Sequence, residues 1–357
     1  MKRARVAVLE TKPESVLRDY ERLLALAGFR RIFPKDKEVI LKLNLSWTLY
    51  FPACSTQPWQ LEGVLRAMRR WGYKKITAVE NETVVTNARK GAELNKWMPI
   101  LERYGVDFVP LNEAEWVPYA PKHELLVLDS KVFPDGFEVP KMLLGKNIVH
   151  LPTQKTHGHT VITGAMKNAF GGLLRRRRHH SHKHIHEVLV DLLTIQKEMH
   201  PHIFAVMDGT VCGDGAGPRT MTPRIGNRIL ASEDQVAIDA VSAKMMGFEP
   251  MEIPFIRIAH ERGLGIGDIS QISVVGDDIR NVNYGFRVGE SVVVFGDKLF
   301  RKGALSFVEP VLFRTPLFGL CVLGSAVYHD WIWYPTVGKQ RIKRFAKTEW
   351  GKLFERL

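Results

Sequence analysis

Residues 38–45 read EVILKLNL, a short apolar run that carries Lys42 and Asn44 at its downstream end. A run this short, bounded by polar residues, reads as a buried strand. RVAVLE (5–10), KITAVE (75–80), VDFVPL (106–111) and IVHLP (148–152) have the same form. Between them, ESVLRDYERLLALAG, PWQLEGVLRAMRRWG and GAELNKWMPILERYG place apolar residues at three- and four-residue intervals and stop on glycine, as helices do. Strand alternating with helix predicts a mainly parallel, doubly wound α/β sheet. HIFAVMDG (202–209), GNRILAS (226–232) and SQISVVG (270–276) repeat the theme, again with helical stretches between them.

The 357 residues exceed what one core usually serves. The expectation is therefore two doubly wound, mainly parallel lobes with a cleft between them and a helical carboxyl-terminal extension. The divisions fall at 1–145, 146–300 (the lobe carrying the Lys/His-rich segment) and 301–357. A hydrophobic content of 45% with 25% charged residues describes a chain that folds throughout. The formal charge of +13 favours an anionic partner: a phosphate ligand, nucleic acid or a membrane surface. Three scattered cysteines, Cys54, Cys212 and Cys321, form no C-x-x-C pair, which argues against a disulfide framework, a zinc site or an iron–sulfur cluster and fits a reducing cytoplasm. The start, MKRARVAVLETKPE, turns acidic too early for a signal peptide and reads as the first strand.

In an open α/β sheet, ligands sit outside the carboxyl ends of the strands, which draws attention to Lys42 and Asn44, Glu80 and Glu82, and Lys155 and His157. Most of the remaining candidates lie in LPTQKTHGHTVITGAMKNAFGGLLRRRRHHSHKHIHE (151–187). Within it, TGAMKNAFGG sets Lys167 and Asn168 among small residues, Thr163 and Gly164 included, where backbone amides can approach a ligand and lysine supplies a charge or a nucleophile. His180, His182, His184 and His186 alternate, so on a helix His182 and His186 would share one face and His180 and His184 another. Either pair could hold a divalent metal such as zinc or nickel, with His157, His159 or Asp208 as a further ligand; the set taken forward is His157, His182 and His186. Exposed or internally satisfied histidines are the plainer reading. Arg175 to Arg178 read either as a solvated face or as an anion-binding run.

A second loop, VMDGTVCGDGAGPR (206–219), has Asp208 at a strand end, Asp214 in a turn, and Gly209, Gly213, Gly215 and Gly217 freeing the backbone to wrap an anion. It matches neither the P-loop nor the dinucleotide fingerprint, and a plain surface turn is the alternative. Asp239, further on, is expected either to face the site or to form a salt bridge. TPLFGLCVLGSAVY (315–328) is uncharged but only fourteen residues long, short of the roughly 20 needed to span a bilayer, and is expected to be a core helix. In KQRIKRFAKTEWGKLFERL (339–357), apolar residues face one way and Lys/Arg the other, the pattern of a helix closing over the core. Peripheral membrane contact through 341–357 is the alternative.

These pieces favour an enzyme. Lys42, Asn44, Lys155, His157, Thr163, Gly164, Asn168, Gly215 and Gly217 would bind an anionic, phosphate- or carboxylate-bearing substrate or cofactor, while Lys167, His180, His182 and Asp208 perform acid–base or metal-assisted chemistry. One alternative is a binding module for nucleic acid or an anionic membrane, although no helix-turn-helix, zinc-finger or RNP pattern supports specific nucleic-acid recognition. Another is a metal-binding accessory protein without turnover.

Taken together, LKLNLS, LPTQKTHGHTVITGAMKNAFGG with HHSHKHIHE, VMDGTVCGDGAGPR, SEDQVAIDAVSAKMMG and GLGIGD resemble the family called domain of unknown function 362, over about residues 38 to 276. The resemblance implies an α/β fold. Many members carry an additional ferredoxin-type segment, for which three scattered cysteines provide no ligands. A weaker likeness, confined to ITGAMKNAFGG, is to the lactate racemase superfamily, which holds a nickel pincer nucleotide on a lysine. That likeness would put Lys167 in the lysine's place with His180 or His182 nearby.

Overall fold

The computed structural model describes residues 3–357 apart from Lys302, Ala304 and Leu305, and their side chains apart from those at 176–179, 306, 310 and 314. Its strands are β1 (Ala4–Glu10), β2 (Val39–Lys42), β3 (Ile76–Glu80), β4 (Asp107–Pro110), β5 (Trp116–Tyr119), β6 (Phe137–Pro140), β7 (Asn147–His150), β8 (Thr153–His157), β9 (Val161–Thr163), β10 (Ile203–Ala216), β11 (Thr220–Ser232) and β12 (Ile272–Gly276). Ten of them form one sheet in the order β12-β1-β11-β10-β7-β2-β3-β4, with β8 beside β10 and β9 beside β8, while β5 and β6 make a separate small sheet. From β10 through β7, β2 and β3 to β4 all neighbours run parallel. β11 is antiparallel to both β10 and β1.

The parallel strands are covered on both faces, which is why β2 and β7 are buried at every residue and show no alternation in sequence. One face packs against helices Ala165–Leu173, Ile185–Met199, Gln235–Met246 and Pro254–Glu261. The other packs against Val16–Leu26, Pro58–Arg70, Trp97–Arg103 and the two terminal helices Lys339–Ala346 and Glu349–Arg356. The α/β class, the mainly parallel sheet and the helical carboxyl-terminal region therefore match expectation.

Three expectations need correction. The strands assigned to two lobes join one sheet: β7, just past residue 145, pairs with β2 on one edge and β10 on the other, through Ile148 opposite Ile40 and Ile203. A parallel strand apolar on both faces needs a neighbour on each edge, and β7 takes one from each half of the chain. The supposed loop 206–219 is mostly strand, because β10 continues to Ala216 in a long hairpin with β11, absorbing an irregularity between Gly209 and Val211. Finally, the apolar stretch 315–328 is not a core helix. Its helix Phe318–Ala326 has no buried residue, since longer amphipathic helices already cover both faces of the sheet.

The terminal segment does close over the core. Phe345 and Trp350 are buried, the Trp350 ring lies 5.1 Å from Trp59, and its Nε1 donates to Asn227 Oδ1 at 2.7 Å. Phe354 stacks on Tyr50 with centroids 3.8 Å apart. Truncating so large a buried ring leaves a cavity, so Trp350→Ala should cost about 3–5 kcal/mol in denaturant unfolding. Unchanged stability in that variant would show that this face of the segment is not part of the core.

Candidate functional site

Lys42 ends β2 and Glu80 ends the adjacent β3, so parallel pairing brings the two side chains to the same edge of the sheet. Lys42 Nζ donates to Glu80 Oε1 at 2.8 Å and to the Leu43 carbonyl at 2.7 Å, and both charged side chains are almost wholly buried. Glu80 Oε1 also accepts the Asn81 N–H, while Glu80 Oε2 has no hydrogen-bond partner among the described atoms. This pair lies at the floor of a cavity of about 480 Å³, within the range usual for small-molecule sites.

The roof is helix Ala165–Leu173, and its start is built by a residue distant in sequence. Asp239 accepts the N–H groups of Ala165 (2.6 Å) and Met166 (3.0 Å), satisfying two donors at the helix start. A Cβ on Gly164 would lie 2.0 Å from the Asp239 carboxylate, so glycine is needed there for packing. At the other end, a Cβ on Gly172 would come within 3.1 Å of Lys42 Cε, and one on Gly171 within 3.4 Å of Lys42 Nζ. The two glycines let the helix lie directly over the buried ion pair.

Between these ends the helix presents Asn168, whose orientation follows from its partners. His150 Nε2 lies 2.6 Å from Gln196 Oε1, an acceptor, so that nitrogen carries the proton and Nδ1 accepts. Asn168 Nδ2 then donates to both His150 Nδ1 (3.3 Å) and the Lys42 carbonyl (3.0 Å). Burial holds His150 neutral, with its pKa lowered to about 3. Asn168 Oδ1 and the nearby Thr163 Oγ1 are buried without hydrogen-bond partners among the described residues, and both residues line the cavity.

The wall comes from β8 and the β10–β11 hairpin. Lys155, fully buried, donates to Asn44 Oδ1 (2.7 Å), Ser46 Oγ (3.0 Å) and the Cys54 carbonyl, and burial lowers its pKa to about 8. His157 lines the cavity; its Nδ1 accepts the His159 N–H, placing its proton on Nε2, and burial holds it well below the usual histidine range. Close approach of Gly217 to the Thr156 carbonyl brings Pro218 and Arg219 to the rim, where Arg219 Nε donates to the Ser46 carbonyl at 3.2 Å.

Of the residues singled out from sequence, Lys42, Asn44, His157, Thr163, Lys167, Asn168 and His182 line this one cavity. Lys155 lies behind Asn44 and organises the rim. Gly164 shapes the roof, while Gly215 accepts Thr156 Oγ1 at 2.8 Å and, like Gly217, belongs to the hairpin that carries Arg219. His180 does not line the cavity. Asp208 is on the other face of the sheet, accepting Tyr20 Oη (2.7 Å), Trp59 Nε1 (3.0 Å) and Thr210 Oγ1 (2.8 Å), which makes it a core cross-link.

The expected metal set is not assembled. Arg176–His184 is a 3-10 helix, in which His180 and His184 do not share a face, and His186 lies beyond it in the helix Ile185–Met199. His182 stacks on His159 with centroids 5.2 Å apart, whereas His186 packs on Phe255. Among the described residues no group of three His, Cys, Asp or Glu could hold a metal ion. Arg175 reaches the cavity and pairs with Glu138 at 2.7 Å, whereas the side chains of Arg176 to Arg178 lie outside the described residues. Arg219 and Ser46 were missed; their only sequence signal is position, Arg219 after a glycine-rich hairpin and Ser46 beyond a strand end.

An open, mainly parallel α/β sheet with a polar cavity at its strand ends, roofed by a glycine-flanked Lys-Asn helix, defines the general class. Within it, the chain belongs to the family described as Domain of unknown function (DUF362), whose model matches residues 39–244, the span that builds most of this cavity. It is similar to the thylakoid-associated protein sll1697 of Synechocystis sp., with 24% identity over 245 residues, covering 67% of this chain and 72% of that one. No solved structure matches it.

The cap makes one pH dependence testable. Burial raises the Asp239 pKa from 3.8 to about 7, against which the two backbone N–H donors act. The folded state then holds the proton through a window in which the unfolded state has released it, so this contribution is full below about pH 4 and is lost as pH rises to about 7. Thermal midpoints measured across that window should fall more steeply for the wild type than for Asp239→Asn. Parallel profiles would contradict this.

Proposed function

We propose that the chain is an enzyme acting on a small anionic molecule, phosphate- or carboxylate-bearing, that also carries hydroxyl or amine donors. The observation behind this reading is the cavity's mixed lining. Lys42, Lys167, Arg175 and Arg219 stand against Glu80, Glu82 and the Glu138 that pairs with Arg175, which leaves an excess of one positive charge. Beside them, Asn168 Oδ1, Thr163 Oγ1 and Glu80 Oε2 are buried acceptors without partners among the described residues, and a ligand's hydroxyl or amine would satisfy them.

In this reading Lys167 and Arg219 hold the anion, Asn168 orients the donor-bearing part, and His157, neutral with its proton on Nε2, hydrogen-bonds an oxygen that gains charge during reaction. Lys167 and His182 are the groups for proton transfer. Asp208 has no part in it, being on the opposite face. A cytoplasmic setting fits the scattered cysteines. The Synechocystis relative is named for its association with thylakoids, which favours, as a second reading, a place for this chain at a membrane surface.

Native mass spectrometry of the purified protein tests the first reading. The wild type should carry a small anionic molecule or take up added pyrophosphate, and Lys167→Ala should weaken pyrophosphate binding about tenfold, the loss of one charged hydrogen bond, with little change in thermal midpoint. Asp208→Asn should show the converse, lowered stability with binding retained. If Lys167→Ala destabilises the fold and leaves binding unaltered, Lys167 is structural and the reading fails.

A further inference from the structure

Eleven of the sixteen large apolar side chains exposed among the described residues fall between Val288 and Val337. Eight come from helices Val292–Arg301, Glu309–Arg314 and Phe318–Ala326 and from the π-helical stretch Val327–Gly338, and Val288, Phe307 and Leu317 from the segments around them. Phe307 is 76% exposed, Trp331 71% and Leu320 64%, far beyond what a solvated surface gains from keeping. The region is nevertheless fixed to the body of the protein. Trp47 Nε1 donates to Asp330 Oδ1 at 2.6 Å, Tyr334 Oη donates to the Tyr50 carbonyl at 3.0 Å, and His159 lies 3.5 Å from Asp297. Buried Trp333 and His329 face inward while Trp331 and Ile332 face out.

The charge pattern says what covers this surface. Residues 338–347 contain five Lys/Arg and no Asp/Glu. Lys339, Lys343 and Arg344 are exposed on the helix Lys339–Ala346, which continues directly from the stretch bearing Trp331 and Ile332. A second copy of the chain would set this positive surface against itself, whereas an anionic bilayer supplies the opposite charge and takes aromatic side chains at its headgroup level. Among the described residues no helix is long and apolar enough to cross a membrane, so the segment would lie on the surface.

We propose that the exposed apolar face of residues 292–337, bordered by Lys339, Lys343 and Arg344, docks the protein onto an anionic lipid surface. The apolar face of 341–357, for which membrane contact was the alternative reading from sequence, is used up in the core. The proposal concerns side chains outside the cavity lining and stands whatever the cavity binds.

The test is co-sedimentation of the full-length protein with phosphatidylcholine vesicles, with and without phosphatidylglycerol. Wild-type protein should sediment with the anionic vesicles and be released by salt. The triple variant Leu320→Glu, Leu323→Glu, Trp331→Glu should lose about tenfold or more of that binding at an unchanged thermal midpoint. Should the triple variant fail to fold, Phe307→Ser and Trp331→Ser, made singly, provide the same comparison. Undiminished sedimentation of folded variants overturns the proposal, as does a wild type that ignores both kinds of vesicle. A wild-type dimer that the triple variant turns into monomers, without vesicle binding, also overturns it and assigns the face to a second copy.

Discussion

Two opposite charges buried at the ends of neighbouring strands set the terms for the rest of the site. Lys42 and Glu80 meet at 2.8 Å with side chains only 2% and 3% exposed. Withdrawing both from water is expensive, and removing either alone would strand the other, at about 3–5 kcal/mol. Such a pair needs close cover, and the Gly171–Gly172 end of the roof helix provides it, lying so near that a Cβ on Gly172 would come within 3.1 Å of Lys42 Cε. A helix held that close has its register fixed, and that register turns Asn168 toward His150 and the Lys42 carbonyl.

Asn168 and Asp208, on opposite faces of the sheet, are two kinds of buried polar group that look alike in sequence. On the roof side, Asn168, Thr163 and Glu80 keep acceptor atoms without partners among the described residues. On the opposite side, both Asp208 oxygens are taken up by Tyr20, Trp59 and Thr210. A satisfied network rigidifies a core; an incompletely satisfied one beside a cavity is a place for a ligand. Acceptors left open beside a cavity that Lys42, Lys167 and Arg219 also line mark the strand ends as the working region.

Much of this was legible from residue order, for identifiable reasons. Lys42, Asn44 and His157 stood out because strand ends of a parallel sheet converge on one edge, and Lys167 and Asn168 because small residues surround them. Asp208 misled because β10 is buried on both faces, so nothing in its pattern reveals which way a given side chain points. The histidine run misled because helical spacing was assumed where the chain winds three residues per turn. The stretch 315–328 was taken for core on hydropathy alone, which does not distinguish a helix buried within the protein from one left facing outward. Arg219 and Asp239 owe their roles to contacts across the fold that no local pattern carries.

The most direct test of the central claim, that the strand-end cavity is an anion site, is a crystal structure of the protein grown with tungstate, a heavy analogue of phosphate. The account predicts an anomalous peak within the cavity, between the Lys167 and Arg219 side chains and above the Lys42–Glu80 pair. A peak confined to the surface, along the arginine run or the carboxyl-terminal basic helix, with the cavity holding only water, would contradict it.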